Sequence, residues 1–142
     1  MHIVIDNSGS MRDNGKSMLA VSTVSIMRKY IPRDIKIDIW GWNAAIIPID
    51  SPAKLTFSGS TDEEALLDFA DRIGDERVVL IGDGILDPSI RRSLRKSGWS
   101  YIAVGCDSNI DELKNIFGKN HVFIWADSMT CIKMLLLESM LE

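Results

Sequence analysis

The 142-residue sequence has little of what marks several common protein classes. It has only two cysteines, Cys106 and Cys131, and no CxxC spacing, so we expect two unpaired thiols rather than a disulfide framework or a thiolate metal site. No apolar run reaches the roughly 18–20 residues that a membrane helix needs. The first strand-like run turns polar at Asp6, too early for a signal peptide. We therefore expect a cytoplasmic protein, or a domain of a larger one.

The sequence also lacks an excess of positive charge. Its 16 basic and 20 acidic residues are interspersed and give a net charge of −4. This balance argues against nucleic acid or an anionic membrane as the main partner. No GxxxxGK[ST] loop is present, so nothing indicates nucleotide hydrolysis. A length of 142 residues and a hydrophobic content of 46% predict one compact domain over residues 1–142.

What the sequence does contain is a regular alternation of strand-like apolar runs and segments of helical period. Strands are predicted at residues 3–5, 35–42, 45–49, 78–81, 99–104 and 121–125. The predicted helices include residues 18–31, 65–73 and 88–98, and one that begins near residue 127. The resulting order, βαββαβαβαβα, predicts an α/β fold of three layers, Rossmann-like, with helices on both faces of a mostly parallel six-stranded sheet. A hairpin near Asn43 makes one edge strand antiparallel.

Carboxylates and small polar residues follow two of these strands. Asp6, Ser8 and Ser10 alternate after the first strand, and Asp83 lies between two glycines after the run at 78–81. A third segment, residues 58–62 (Ser-Gly-Ser-Thr-Asp), precedes a helix. In sheets of this kind ligands bind beyond the carboxyl ends of the strands, where the winding direction reverses. The donors are all oxygen, which favours a hard cation, Mg²⁺ first, with Mn²⁺ or Ca²⁺ as alternatives.

The alternating segment resembles a known motif. Asp6-x-Ser8-x-Ser10 is similar to the DxSxS signature of the metal-ion-dependent adhesion site (MIDAS) of von Willebrand factor A domains. Thr61 looks like the separate threonine ligand of that site, and Asp83-Gly84 looks like its distal aspartate motif. The resemblance covers essentially the whole chain, because the order of strands and helices is also the family's. It further includes residues that often follow the signature, namely Met11, Gly15 and Lys16.

The resemblance implies a function as well as a fold. Ser8 and Ser10 would hold the metal directly, Thr61 directly or through water, and Asp6 and Asp83 mainly through coordinated waters. Neutral hydroxyl ligands leave the cation poorly neutralised, so it would attract a Glu or Asp carboxylate supplied by another protein. The chain is then expected to be a metal-dependent protein-interaction module of the adaptor or scaffold type, and no enzyme.

Two positions depart from the family's pattern. Gly82 stands where the family usually has threonine or serine, and Ser60 stands where a second glycine is common. Neither departure removes a metal ligand. The missing hydroxyl at position 82 is expected to loosen the hydrogen bonds that aim Asp83.

The alternative is an enzyme, a metal-dependent phosphatase or hydrolase that uses the same oxygen ligands. A serine hydrolase would need a GxSxG turn around Ser8, and none is present; the only histidines, His2 and His121, begin predicted strands. A phosphatase with an aspartyl nucleophile at Asp6 would need a second aspartate two residues on, where Ser8 stands. Trp125, like most other tryptophans and the methionines, is interpreted as core. A basic stretch is interpreted as a solvated helix face, with a docking patch for an acidic partner as the alternative: Arg91, Arg92, Arg95 and Lys96.

Overall fold

The computed structural model describes residues 1–84, 86–94, 98–105 and 108–140. Within them, strands and helices alternate in the predicted order. The strands are β1 (His2–Asp6), β2 (Asp38–Trp42), β3 (Ile46–Pro48), β4 (Val78–Gly82), β5 (Ser100–Ala103) and β6 (Val122–Ile124). The helices are α1 (Lys16–Tyr30), α2 (Glu63–Ile73), α3 (Arg91–Leu94), α4 (Ile110–Phe117) and α5 (Ser128–Met140).

The six strands form one sheet in the order β3-β2-β1-β4-β5-β6. Only the edge pair β2–β3 is antiparallel; the other neighbours are parallel. This confirms the predicted three-layer α/β fold with a mostly parallel six-stranded sheet. The chain leaves β1 toward β2 on one side and returns to β4 on the other, so the winding direction reverses between β1 and β4. The carboxyl ends of these two strands therefore border the crevice where a ligand is expected.

Each face of the sheet has its own apolar core. Successive β1 residues point to opposite faces, so Ile3 and Ile5 belong to one core and Val4 to the other. The core that contains Ile3 and Ile5 is completed by α1 and α5. The core that contains Val4 is completed by α2, α3 and α4. Because both faces of β1 and β4 are covered, these strands are buried along their whole length.

β3, β5 and β6 are each shorter than predicted by one residue at each end, and larger differences occur in β2 and in the helix predicted over 88–98. β2 begins at Asp38 rather than at residue 35, because its register places Asp38 opposite His2, the first residue of β1. Residues 35–37 therefore have no β1 residue beside them. The predicted helix over 88–98 begins as a 3-10 turn (Pro88–Ile90) before α3, and its residues 95–97 lie outside the described residues.

Several smaller predictions can also be compared with the structure. Trp125 is 45% exposed, so the core assignment was wrong: it lies in a short turn beyond β6, the edge strand. Cys131 is a buried free thiol, whereas Cys106 lies outside the described residues. Arg91 and Arg92 are exposed, and Arg95 and Lys96 also lie outside the described residues. Among the described helices, none is both long and apolar enough to cross a membrane.

Candidate metal centre

All five predicted metal ligands line one depression at the carboxyl ends of β1 and β4. Its volume is about 210 Å³. Gly59 and Ser60 complete the lining beside the five predicted residues, which are Asp6, Ser8, Ser10, Thr61 and Asp83. Three segments that are far apart in the sequence thus meet where the sheet reverses its winding.

The loop after β1 places two serine hydroxyls side by side. The Ser8 N–H donates to Asp6 Oδ1 over 2.9 Å, a turn that aspartate favours because its side chain can accept a hydrogen bond from the residue two positions on. Ser8 is also the N-cap residue of the 3-10 turn Gly9–Gly15, but its hydroxyl caps no backbone N–H there. Instead, Ser8 Oγ lies 3.1 Å from Ser10 Oγ.

Asp83 is held by groups from the loop after β1. The Ser10 hydroxyl donates to Asp83 Oδ2 over 2.7 Å, and Lys16 Nζ lies 3.7 Å from the same oxygen. Lys16 is the first residue of α1, and it is only 2% exposed, compared with 1% for Asp83. Sequence analysis did not assign Lys16 to the site. Its ammonium group brings a buried positive charge to a depression that otherwise contains two carboxylates.

Backbone hydrogen bonds fix the third segment against the β1 loop. The Gly9 N–H donates to the Gly59 carbonyl, and the Ser58 N–H donates to the Asn7 carbonyl, each over 2.9 Å. Gly59 has φ +72°, a conformation that a side chain disfavours, so this turn depends on glycine. The two hydrogen bonds bring Thr61 to the rim of the depression.

The residue after Thr61 is anchored as well. Asp62 is the N-cap of α2, and its side chain accepts a hydrogen bond from the Glu64 N–H over 3.0 Å. Its carbonyl accepts from Nε1 of the buried Trp42 over 2.9 Å, and its N–H donates to the Asn43 carbonyl over 2.9 Å. Thr61 therefore lies between two fixed points of the backbone.

Burial sets the electrostatics of Asp6. Its side chain is almost fully buried, and this burial raises the pKa of the carboxyl to about 6. The hydrogen bonds from Ser8 act in the opposite direction, and the nearby Asp83 carboxylate raises the pKa further. Without a cation, two carboxylates thus share a poorly hydrated space, where a positive ion would be favoured.

Two hydroxyl groups behind Asp83 were missed by the sequence analysis. The Gly84 N–H donates to Tyr101 Oη over 2.8 Å, and Ser108 Oγ donates to the Asp83 carbonyl over 2.6 Å. Burial, together with the Asp6 and Asp83 carboxylates, raises the pKa of Tyr101, so this side chain keeps its proton at neutral pH. The available signal was Gly82: a glycine beside a predicted ligand can mark the close approach of another group.

The oxygen donors suit a hard cation of small radius. Among the residues that the structure describes, no three His, Cys, Asp or Glu side chains come together as a group that could hold a metal ion. The depression instead combines two carboxylates with the hydroxyls of Ser8, Ser10 and Thr61. Neighbouring oxygen ligands on an octahedral Mg²⁺ are about 2.9 Å apart, given bonds of about 2.0–2.1 Å. The 3.1 Å between Ser8 Oγ and Ser10 Oγ is close to that spacing.

The fold is similar to solved von Willebrand factor A structures. A von Willebrand factor type A protein from Catenulispora acidiphila matches 94% of this chain, with 41% of its own length, at a TM-score of 0.63 and 18% identity. The ArnB paralog VWA2 from Sulfolobus acidocaldarius matches 93% of this chain with 42% of its own, at a TM-score of 0.62 and 18% identity. The chain therefore has the von Willebrand factor A fold, as the DxSxS resemblance implied.

A further similar structure contains a metal. Proximal thread matrix protein 1 from the mussel byssus, in a structure with a zinc-occupied MIDAS motif, matches 94% of this chain with 44% of its own. The TM-score is 0.67 and the identity 20%. This chain spans less than half the length of the three proteins compared. The sequence matches no protein-family model and no curated protein.

Proposed function

We propose that this von Willebrand factor A fold is a metal-dependent protein-interaction module. It holds one divalent cation at Asp6, Ser8, Ser10, Thr61 and Asp83 and binds a Glu or Asp carboxylate of a partner protein. The observation that carries the proposal is the convergence of these side chains in one depression at the reversal point between β1 and β4. The zinc in the MIDAS motif of the mussel protein supports a divalent cation in this place.

The charges explain why such a site would bind an anion. With Asp6 and Asp83 ionised and Lys16 beside Asp83, the depression carries one net negative charge. A divalent cation reverses that sign, because the hydroxyls of Ser8, Ser10 and Thr61 bring no charge. A cation such as Mg²⁺ also keeps several waters that an external oxygen can replace. The loaded site is therefore an anion receptor, suited to an adaptor or scaffold role inside the cell.

We assign no catalytic residue. His2 is the first residue of β1, and its Nε2 lies 3.2 Å from Glu76 Oε2, while His121 directly precedes β6. Both histidines thus lie at the amino ends of strands, whereas Ser8 lies beyond a carboxyl end. A serine nucleophile needs a base within hydrogen-bond reach. Turnover of phosphate esters or carboxylic esters by the Mg²⁺-loaded protein, lost in the Ser8→Ala variant, would favour the hydrolase alternative instead.

The first test is linkage between the cation and the fold. Because only the folded chain brings the three segments together, saturating Mg²⁺ or Mn²⁺ should raise the melting temperature, by roughly 5–10 °C at a concentration about 100-fold above the dissociation constant. Asp6→Ala and Ser8→Ala should abolish this increment. Differential scanning calorimetry with Mg²⁺, Mn²⁺, Ca²⁺ and EDTA measures it.

Ser22→Ala is the matched control, because Ser22 is an exposed serine of α1. It should keep the full metal-dependent increment. An increment that survives in Asp6→Ala would show that the cation binds elsewhere. No increment with any of the three cations in the unaltered protein would contradict metal binding itself.

A further inference from the structure

The structure gives a reason for glycine at position 82, immediately before Asp83. Gly82 is the last residue of β4, and it has no left-handed conformation that would by itself require glycine. The requirement is steric. A Cβ atom at position 82 would lie 2.6 Å from Tyr101 Oη and 3.0 Å from Asp6 Cβ. The space that a side chain would need is therefore already filled by the tyrosine hydroxyl.

Tyr101 reaches this space from the neighbouring strand. It pairs with Leu80 in the register of β4 and β5, and residues two apart on a strand share a face, so Tyr101, Leu80 and Gly82 point to the same side of the sheet. Tyr101 is 1% exposed, and its ring packs against Phe117 with centroids 5.3 Å apart. The ring is thus fixed, and its hydroxyl extends past Gly82 to accept the Gly84 N–H over 2.8 Å.

We propose that Tyr101 is a positioning residue of the candidate metal centre. Its hydroxyl fixes the backbone on the far side of Asp83 by accepting the Gly84 N–H, and Gly82 is the glycine that makes room for it. In the family that this sequence resembles, position 82 usually carries a hydroxyl of its own. Here a hydroxyl at nearly the same place is delivered from β5. The inference rests on the proposed metal-binding function.

The Tyr101→Phe variant removes only the hydroxyl and keeps the packing against Phe117. The Asp83 loop should lose its hydrogen bond at the Gly84 N–H, and the affinity for Mn²⁺, measured by isothermal titration calorimetry, should fall by about tenfold or more. Tyr30→Phe is the matched control, because Tyr30 is the other tyrosine of the chain and lies half-exposed at the end of α1. It should bind Mn²⁺ like the unaltered protein.

A second pair of variants moves the hydroxyl between strands. Gly82→Thr alone should lose Mn²⁺ binding, because its Cβ collides with the Tyr101 hydroxyl. Combined with Tyr101→Phe, the threonine gains that space and supplies a hydroxyl from β4, so the double variant should bind Mn²⁺ more tightly than Gly82→Thr. The recovery should be partial, because Asp6 Cβ must still move by a few tenths of an ångström. A purely structural role for Tyr101 would lower the melting temperature of Tyr101→Phe in EDTA but leave its Mn²⁺ affinity unchanged, which would overturn the inference.

Amide hydrogen exchange in EDTA separates this inference from the proposed function. If the unaltered protein binds no cation, the proposed function fails, but the hydrogen bond at Gly84 remains measurable. Loss of its acceptor in Tyr101→Phe should then speed exchange at the Gly84 N–H by about tenfold, while the amides of β1 change little. Equal exchange at Gly84 in both proteins would overturn the positioning role, whatever the protein does with metal.

Discussion

The buried Asp6 carboxylate destabilises the metal-free fold, and a bound cation would remove that destabilisation. Its pKa of about 6 in the folded chain lies above its ordinary value near 3.8, so the folded state holds this proton more tightly than the unfolded state does. The contribution of Asp6 to stability is thus fully present below pH 3.8 and is lost as the pH rises through 6. Above pH 6 the buried carboxylate costs the metal-free fold about 3 kcal/mol.

Asp6→Asn should therefore stabilise the metal-free protein at neutral pH. In EDTA at pH 7.5, we expect its melting temperature to exceed that of the unaltered protein, and we expect the difference to shrink as the pH approaches 4. Thermal melts between pH 4.5 and 8 measure this trend. The same variant should gain nothing from Mg²⁺. Asp13→Asn, at an exposed aspartate, is the control. A constant difference at all pH values would show that Asp6 does not titrate in this range.

Lys16 has the opposite effect to Asp6 on the stability of the metal-free fold. Its ammonium group, 3.7 Å from Asp83 Oδ2, offsets part of the negative charge of the depression and would repel the cation of the proposed function. Lys16→Met should therefore lower the stability in EDTA by about 3 kcal/mol, because a buried carboxylate loses its counter-charge. The same change should enlarge the Mg²⁺-dependent increment in melting temperature.

The control for this prediction is Lys29→Met, because Lys29 is an exposed lysine of the same helix. It should change neither the stability in EDTA nor the Mg²⁺ increment by more than a small amount. A Lys16→Met protein that is less stable in EDTA and also gains less from Mg²⁺ would indicate that Lys16 organises the ligands rather than competing with the cation.

Among the connecting elements, the loop of residues 58–62 depends on a glycine in the left-handed region. Gly59 has φ +72° and accepts a hydrogen bond from the Gly9 N–H. Gly59→Ala should cost about 1–2 kcal/mol, because a residue with a Cβ disfavours this conformation. It should also reduce the Mg²⁺ increment by displacing Thr61. Gly9→Ala is a matched control, since its added Cβ would meet nothing closer than 3.5 Å; calorimetry that finds the two variants equally stable would contradict the argument.

At the scale of elements, hydrophobic period alone predicted the order of strands and helices. The hydrophobic period predicts β4 best, since all five of its residues are buried, and it also predicts α2 well, since the buried residues Leu66 and Phe69 of that helix lie three positions apart. It overextended β2, because the length of that strand is set by its register with β1 and not by its own composition. It misplaced Trp125 for a similar reason: only the sheet order shows that β6 is an edge strand.

For the molecule as a whole, the candidate site was also predicted only in part from the sequence. The sequence predicted five oxygen-bearing residues, and the structure brings them to one depression. It could not predict the groups that support them, because Tyr101 and Ser108 become neighbours of Asp83 only through the pairing of β4 with β5 and the path that follows β5. Lys16 lies six residues after the last serine of the DxSxS segment, yet only the fold shows that its ammonium group reaches Asp83.

The net charge of the molecule predicts how a partner protein would associate with it. A chain with a net charge of −4 repels an acidic partner at long range, so under the proposed function the attraction would have to come from the local field of the cation. Once a partner is identified, its affinity should depend on Mg²⁺, disappear in EDTA and fall about tenfold or more in Ser8→Ala and Thr61→Ala. Replacing the contacting Glu or Asp of the partner by Gln or Asn should have the same effect.

Raising the salt concentration should not slow association, because salt screens the long-range repulsion. Biolayer interferometry measures each of these, with Arg91→Ala as a control at an exposed basic residue. Equal affinity in Mg²⁺ and EDTA would show that the partner binds another surface.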